Sequence, residues 1–248
     1  MNETEWKAFL TEYSQELLAS EKVRRRLRPE VVASAWLGFA PAAEAEIEAA
    51  EMRLGVRFPP SYRAFLRVTN GWRHVNTFVH LMWPTTEIAR FHQRNQPWID
   101  AYVGPAKDEP RLPDEKYLVY GKDQDPVWFR PEYLQTALEI SDTGDEAILL
   151  LNPEILTPEG EWEAWFFANW LPGASRYRSF AELMQQERLG FLELQAGKAK
   201  KAGRSSDSPA PSRIQGKGKV PLSWWSRLIR GAAKLSVRVL PGFKSKRK

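Results

Sequence analysis

The sequence has no cysteine and only three histidines among its 248 residues. The absence of cysteine excludes disulfide bonds, thiolate catalysis and cysteine-ligated metals, and a reducing cytoplasm is the expected location. The histidines, His74, His80 and His92, are separated by six and twelve positions, which matches no compact metal-ligand motif. We therefore expect neither a metal nor another cofactor.

Long apolar runs are also missing. No stretch approaches the roughly 20 uninterrupted apolar residues that a transmembrane helix needs, and the N-terminus lacks the basic start and apolar core of a secretory signal. The sequence also has no phosphate-binding glycine loop and no Gly-x-Ser-x-Gly turn of the kind found in serine hydrolases. The expectation is a soluble chain that is not an enzyme.

Charge divides the chain into two unequal parts. Residues 1–197 hold 21 Lys and Arg against 30 Asp and Glu, whereas residues 198–248 hold 15 basic residues and one acidic residue. An acidic body joined to a basic C-terminal region indicates two different partners or a contact between the two parts. Composition predicts a domain over 1–196, a flexible basic linker over 197–221 and a basic amphipathic tail over 222–248.

The order of predicted elements indicates the fold class. Apolar residues at helical spacing predict helices, and they lie within 5–20, 23–38, 41–55 and 58–71. Runs of β-branched and aromatic residues predict strands within 77–84, 116–121, 126–130, 147–153 and 161–170. A closing helix is expected within 175–195, with a cap near Ser179. Helices, then strands, then a helix favour an α+β fold.

The aromatic run over 161–170 allows a sharper expectation. An unbroken strand there places Trp162, Phe166 and Trp170 on one face, with Trp165 on the other. Core packing is the favoured interpretation of these tryptophans, and an exposed aromatic anchor for a protein partner is the alternative. In the helix over 41–55, Ile47, Ala50, Met52 and Leu54 are expected to face inward.

Three blocks of sequence together resemble a known family. They are "IEAAEMRLGVRFPPSYRAFLRVTNGW" (47–72), "LEISDTGDEAILLLNPE" (138–154) and "SRYRSFAELMQ" (175–185). The set is similar to the signature of the SUKH superfamily, the Smi/Knr family of bacterial immunity proteins and fungal cell-wall regulators. The resemblance covers about 47–185. It implies a twisted antiparallel sheet flanked by helices, no catalysis, and a common bacterial role in binding and neutralising a cognate toxin, often a nuclease.

The first of these blocks is interpreted as architecture rather than as a binding site. Gly55 is expected to end one helix, Pro59 and Pro60 to start the next, and the pair Asn70 and Gly71 to turn the chain toward the sheet. We therefore look for function elsewhere, in acidic loops and in the basic tail.

Acidic residues cluster in two turn-rich segments of the body. These residues are Asp108, Glu109, Asp114, Glu115, Asp123 and Asp125. They predict either solvated loops or a negative surface for a basic protein partner, such as the cationic face of a nuclease toxin. A toxin-binding immunity protein is the leading hypothesis.

The tail sequence "LSWWSRLIRGAAKLSVRVL" (222–240) predicts a basic amphipathic helix. The residues expected at a membrane surface are Trp224, Trp225, Arg227, Arg230, Lys234 and Arg238. The alternative function is therefore a regulatory or scaffold protein recruited by this tail to the anionic inner face of a membrane. Docking of the tail on the body is a further alternative, and nucleic-acid binding is weaker because it leaves the apolar face unexplained.

Overall fold

The computed structural model describes residues 1–106 and 109–205, with side chains up to residue 197. The helices in this part of the chain are α1 (Glu3–Leu18), α2 (Glu21–Arg24), α3 (Pro29–Ser34), α4 (Glu44–Leu54), α5 (Pro60–Val68), α6 (Phe91–Ala106), α7 (Asp114–Tyr117) and α8 (Phe180–Ser205). The strands are β1 (Trp72–Arg73), β2 (Leu81–Met82), β3 (Ala89–Arg90), β4 (Leu138–Glu139), β5 (Ala147–Leu156), β6 (Trp162–Ala168) and β7 (Ala174–Tyr177). Short 3-10 helices lie at Gly121–Asp123 and Pro131–Gln135.

The sheet topology confirms the predicted α+β class. Five antiparallel strands follow the order β3-β4-β5-β6-β7, and β1 pairs with β2 in a separate small sheet. Strands β5 and β6 form the central hairpin, in which Ala147 lies opposite Ala168 and Leu151 lies opposite Ala164. The register shifts between Asn152 and Leu156, before the hairpin turns.

Both faces of the large sheet are covered, which explains why all seven residues of β6 are buried. On one face, Trp162 and Phe166 belong to a core built with α1, α4, α5 and α8, which we call the first core. On the other face, Trp165 belongs to a second core built with α6, α7 and the Pro131–Gln135 turn. Trp170 is partly buried against the first core. The predicted division of these aromatic side chains between the two faces is confirmed.

The stretch with the family signature forms the joint between α4 and α5. Gly55 has a φ of 65° and closes α4, and α5 begins at Pro60, both as expected. The Glu51 carboxylate accepts a hydrogen bond from the Phe58 amide at 2.7 Å and forms an ion pair with Arg63. The acid and the arginine therefore lock the two helices together, as the architectural interpretation requires.

Some helix predictions are wrong in detail. The single helix expected over 23–38 is divided into α2 and α3, because Arg28 is extended before Pro29, which begins α3. Met52 is 83% exposed instead of facing inward, whereas Ile47 is buried as expected. In α8, the Ser179 hydroxyl accepts a hydrogen bond from the Glu182 amide at 3.1 Å, which confirms the predicted cap.

Two predicted strands are also wrong. Residues 116–121 contain the end of α7 and a turn, and residues 126–130 form a loop. Tyr117 and Phe129 are buried in the second core, so these apolar runs do pack inward, but without strand pairing. A short apolar run bounded by turn residues does not by itself distinguish a strand from a packed loop.

The C-terminal region is only partly described. Helix α8 continues to Ser205, inside the segment predicted as a linker, and the remaining residues lie outside the described part of the chain. The predicted domain division therefore stays a prediction, and so do the tail residues, which are Trp224, Trp225, Arg227, Arg230, Lys234 and Arg238. Among the described residues, no helix combines the length and apolar character needed to cross a membrane.

Candidate functional site

Residues 109–130 form a loop-rich layer over the second core, which we call the cover segment. The segment contains α7 and the Gly121–Asp123 turn, and it reaches the second core through Tyr117 and Phe129. Five of the six predicted acidic site residues lie in it, and the sixth, Asp108, lies outside the described residues. The structure therefore brings the predicted acids into one layer on one side of the sheet.

The cover segment runs along the outer edge of β7 without forming a strand. The Gln124 side-chain oxygen accepts a hydrogen bond from the Arg176 amide at 2.7 Å, and its Nε2 donates to the Arg176 carbonyl at 2.6 Å. The Ala174 amide donates to the Pro126 carbonyl at 3.2 Å. One side-chain amide and one carbonyl therefore satisfy three backbone groups of β7 that a sixth strand would otherwise pair.

A buried ion pair lies beneath the cover segment. Glu163 and Arg176 are each 1% exposed, and Arg176 Nη1 is 3.4 Å from Glu163 Oε1. The other donors to the Glu163 carboxylate are Tyr117 Oη at 2.6 Å, Tyr120 Oη at 2.9 Å, Asn152 Nδ2 at 2.9 Å and Trp165 Nε1 at 2.7 Å. Burial, followed by the charge of Glu163, raises the pKa of both tyrosines, so they remain neutral donors.

Two arginines hold the cover segment to the sheet and to itself. Arg176 donates to the Tyr117 carbonyl and to the Val119 carbonyl, and its guanidinium lies 4.2 Å from the centre of the Tyr117 ring. Arg130 donates to the Leu112 carbonyl from Nε at 2.9 Å and pairs with Asp114, which closes the base of the segment. The cover segment is therefore a layer that is held in place, because the buried guanidinium groups of Arg176 and Arg130 donate hydrogen bonds to its backbone carbonyls.

The structure gives the predicted acids different roles. Asp114 is paired with the buried Arg130, whose hydrogen bond lowers the pKa of that carboxyl. The Asp125 carboxylate accepts a hydrogen bond from the Val127 amide at 3.1 Å and shapes the loop. Glu109, Glu115 and Asp123 are exposed, and among the described residues their carboxylates have neither an ion-pair partner nor a hydrogen-bond partner.

The cover segment also exposes apolar side chains that the sequence analysis did not single out. Leu118 is 44% exposed, Val127 is 52% exposed and Trp128 is 38% exposed. Lys116 Nζ lies 4.5 Å from the centre of the Trp128 ring, and Arg111 and Lys122 are also exposed between the acids. The cover segment thus exposes apolar side chains together with charges of both signs. The apolar runs over 116–121 and 126–130 predict strands, so the sequence marks these residues but assigns them to the wrong kind of element.

Gly173, which directly precedes β7, lies close against the cover segment. A Cβ atom at this position lies 2.0 Å from the Pro126 carbonyl oxygen and 3.0 Å from Phe129 Cβ. We expect Gly173→Ala to displace the cover segment and lower the free energy of unfolding by about 1 to 3 kcal/mol, measured by urea denaturation. Gly104→Ala is the control, because a Cβ atom there meets nothing within 4 Å. Equal stability of the two variants would contradict this close approach.

The three histidines do not converge. The rings of His74 and His80 stack with centroids 5.5 Å apart, while His92 Nδ1 lies 2.9 Å from the Gln135 carbonyl oxygen. Over residues 1–106 and 109–205, no group of three or more His, Cys, Asp or Glu side chains is placed to hold a metal ion.

Comparison with known proteins identifies the family to which this chain is similar. The family described as SMI1 / KNR4 family (SUKH-1) matches residues 41–186, which extend from the start of the α4 region into α8. A search of curated proteins finds no match. The matched range includes the whole large sheet and the cover segment, and it agrees with the resemblance seen over 47–185. The family is generally non-catalytic and includes immunity proteins. The chain therefore belongs to the SMI1/KNR4 family (SUKH-1).

Proposed function

We propose that this protein binds a cognate protein toxin and neutralises it without catalysing a reaction, and that the cover segment is the contact surface. The family to which the chain belongs includes immunity proteins, which supports the general role. The observation that supports this surface is the exposure of Leu118, Val127 and Trp128 within one held layer. Exposed apolar groups surrounded by polar groups are typical of protein-binding sites.

Trp128 is the expected anchor of the interface. Tryptophan is enriched among residues that dominate binding energy, because it buries a large rigid surface with little loss of side-chain freedom. Arg176 holds the part of the cover segment between Leu118 and Val127, since its guanidinium donates to the Val119 carbonyl and its backbone amide donates to the Gln124 side chain. A surface that is already ordered loses less conformational entropy when a partner binds.

The unpaired acids Glu109, Glu115 and Asp123 form part of the rim. Rim charges mainly accelerate association and make it sensitive to salt, and they contribute less to the final affinity. A nuclease with a cationic substrate face suits this rim, and a toxin of that class is the partner we propose. Arg111, Lys116 and Lys122 reduce the net negative charge of the rim. We therefore expect the association rate to depend moderately, rather than extremely, on salt concentration.

The test uses the toxin domain encoded beside this protein, with growth rescue and calorimetric titration as readouts. Trp128→Ala should weaken binding by about 2 kcal/mol, or roughly thirtyfold, and reduce growth rescue. Leu118→Ala should weaken it by a smaller factor. Leu156→Ala is the matched control, because Leu156 is 60% exposed but lies at the end of β5, outside the cover segment.

Absence of binding to any neighbouring toxin would overturn the proposed role. Full binding by both Trp128→Ala and Leu118→Ala, with the fold intact by circular dichroism, would overturn the proposed surface alone. Recruitment of a regulatory protein to a membrane by the tail stays a prediction, because its residues lie outside the described part of the chain.

A further inference from the structure

A dense run of basic residues lies between α1 and α3 on the acidic body. Residues 22–28 read "KVRRRLR", and the structure exposes every basic side chain in the run: Lys22, Arg24, Arg25, Arg26 and Arg28. Val23, between them, is buried in the first core and fixes the run to the body. The basic run therefore lies on the first-core side of the sheet, opposite the cover segment.

Neighbouring acids neutralise only part of the basic run. Glu21 pairs with Arg24 at 2.6 Å and with Arg25 at 2.9 Å, and Glu30 pairs with Arg28 at 3.1 Å. Lys22 and Arg26 have no carboxylate within 4.0 Å in the described part of the chain, and the Arg26 guanidinium instead contacts the His80 ring. The run thus keeps an excess of positive charge, concentrated at Lys22 and Arg26.

A small pocket opens beside these two cations. Lys22 and Arg26 line it together with Thr77 and His74. His74 is only 5% exposed, and within the described residues its ring nitrogens have no hydrogen-bond partner. Its backbone has a φ of 58°, which is uncommon for a residue other than glycine. A buried imidazole that stacks on His80, lines a cationic pocket and has no hydrogen-bond partner among the described residues is placed to donate a hydrogen bond to an anion.

The neutral form of His74 is the one expected in this pocket near neutral pH. Burial lowers its pKa to about 4, and the neighbouring His80, Arg26 and Lys22 act in the same direction. A neutral imidazole still carries one N–H donor. The pocket therefore combines two cationic side chains with one neutral donor, which suits a phosphate oxygen.

Helix α8 also forms part of the wall of this pocket. Phe191 and Gln195, both on α8, line the pocket with the basic run. The first basic residues of the C-terminal region, starting at Lys198, follow within one helical turn of Gln195. Four basic residues of the C-terminal region, Lys198, Lys200, Lys201 and Arg204, therefore lie in the part of α8 that follows Gln195.

We propose that the basic run 22–28 is a contact surface for an anionic phospholipid membrane, with a lipid phosphate received between Lys22, Arg26 and His74. The tail sequence favours lipid over nucleic acid, because Trp224, Trp225 and the neighbouring apolar residues suit a bilayer interface but have no role on a phosphate backbone. The surface is separate from the cover segment, so the inference does not depend on the proposed toxin contact.

The test is flotation of the full-length protein with vesicles that contain phosphatidylglycerol and phosphatidylcholine, compared with vesicles of phosphatidylcholine alone. The double variant Lys22→Ala/Arg26→Ala should lower the partition coefficient on the anionic vesicles roughly tenfold. The matched control is Lys116→Ala/Lys122→Ala, which removes the same charge from the cover segment and should change partitioning by less than about twofold.

Each remaining outcome decides against the proposal. Unchanged flotation of Lys22→Ala/Arg26→Ala, or an equal loss in the control, would show that the basic run has no specific part in membrane binding. A loss of affinity for a DNA or RNA duplex with unchanged flotation would assign the run to nucleic acid instead. Toxin binding should be unaffected by Lys22→Ala/Arg26→Ala, which keeps this test distinct from that of the proposed function.

Discussion

Glu187→Gln should abolish the loss of stability that the buried Glu187 carboxyl causes as pH rises from about 4.5 to about 8. Glu187 lies on α8 with no exposed surface, and burial raises the pKa of its carboxyl from 4.5 to about 8. One carboxylate oxygen accepts a hydrogen bond from Asn76 Nδ2, and Oε1 has no hydrogen-bond partner in the described part of the chain. The protein therefore buries Glu187 as the neutral acid, which glutamine imitates in shape.

The direction of this pH dependence follows from the number of protons that the folded and the unfolded states bind. The folded state holds the Glu187 proton up to a pH of about 8, while the unfolded chain releases it near 4.5, so the favourable contribution is complete below 4.5 and is lost as pH rises to about 8. The loss is on the order of 5 kcal/mol at 1.36 kcal/mol per pKa unit. Glu187→Gln should accordingly be more stable than the parent above pH 7, by several kcal/mol.

Urea denaturation from pH 4 to pH 9 measures this effect, with the exposed Glu48→Gln as control. His74 acts in the opposite direction, because its lowered pKa of about 4 stabilises the fold above 6.5 and withdraws that stability as pH falls toward 4. The difference between the parent and Glu187→Gln cancels the contribution of His74. A parallel pH dependence in the two proteins would show that Glu187 is not buried as an acid.

Glu163→Ala should be among the most destabilising single changes in the protein. It leaves the guanidinium of Arg176 buried without a counterion and removes the acceptor for Tyr117, Tyr120 and Trp165. Breaking a buried ion pair from one side costs about 3 to 5 kcal/mol. Because Arg176 also holds the cover segment, hydrogen exchange at the backbone amides of residues 117–124 should accelerate first, ahead of exchange in the strands of the large sheet.

A double variant separates the cost of the unpaired charge from the cost of lost packing. Glu163→Leu/Arg176→Met should be more stable than either single change, because no charge is left buried. Glu21→Gln breaks a fully exposed ion pair and should leave the urea midpoint where it is. A double variant as unstable as the sum of its parts would mean that the two side chains act independently.

The helices were easier to predict from the sequence than the strands. In α1 and α5, apolar residues recur on one face of a solvent-exposed helix, and capping residues mark the ends, so both could be placed from spacing alone. Strand β6 lacks any such contrast, since all its residues are buried. It could be identified as a strand from its composition, but nothing in its sequence sets the register that places Trp165 opposite Arg176.

The candidate site was harder to predict for the same reason. The exposure of Glu115 and Asp123 follows from their place in polar turns, and the structure agrees. Their support could not be foreseen, because the buried pair of Glu163 and Arg176 depends on β6–β7 pairing. In the sequence, Arg176 is one of many arginines, and only burial distinguishes it from those on the surface.

The side chain of Gln124 also protects the outer edge of β7 against strand pairing with a second copy of this protein. Edge strands invite strand addition, the route to β-augmentation by partners and to aggregation between identical chains. At β7 that route is closed, because Gln124 and Pro126 already occupy the outward backbone groups of Arg176 and Ala174. The opposite edge strand of the large sheet, β3, has two residues, so it offers few backbone groups for pairing with another chain. We therefore expect a partner of the large sheet to recognise side chains rather than a strand edge, and concentrated solutions should resist amyloid-like assembly.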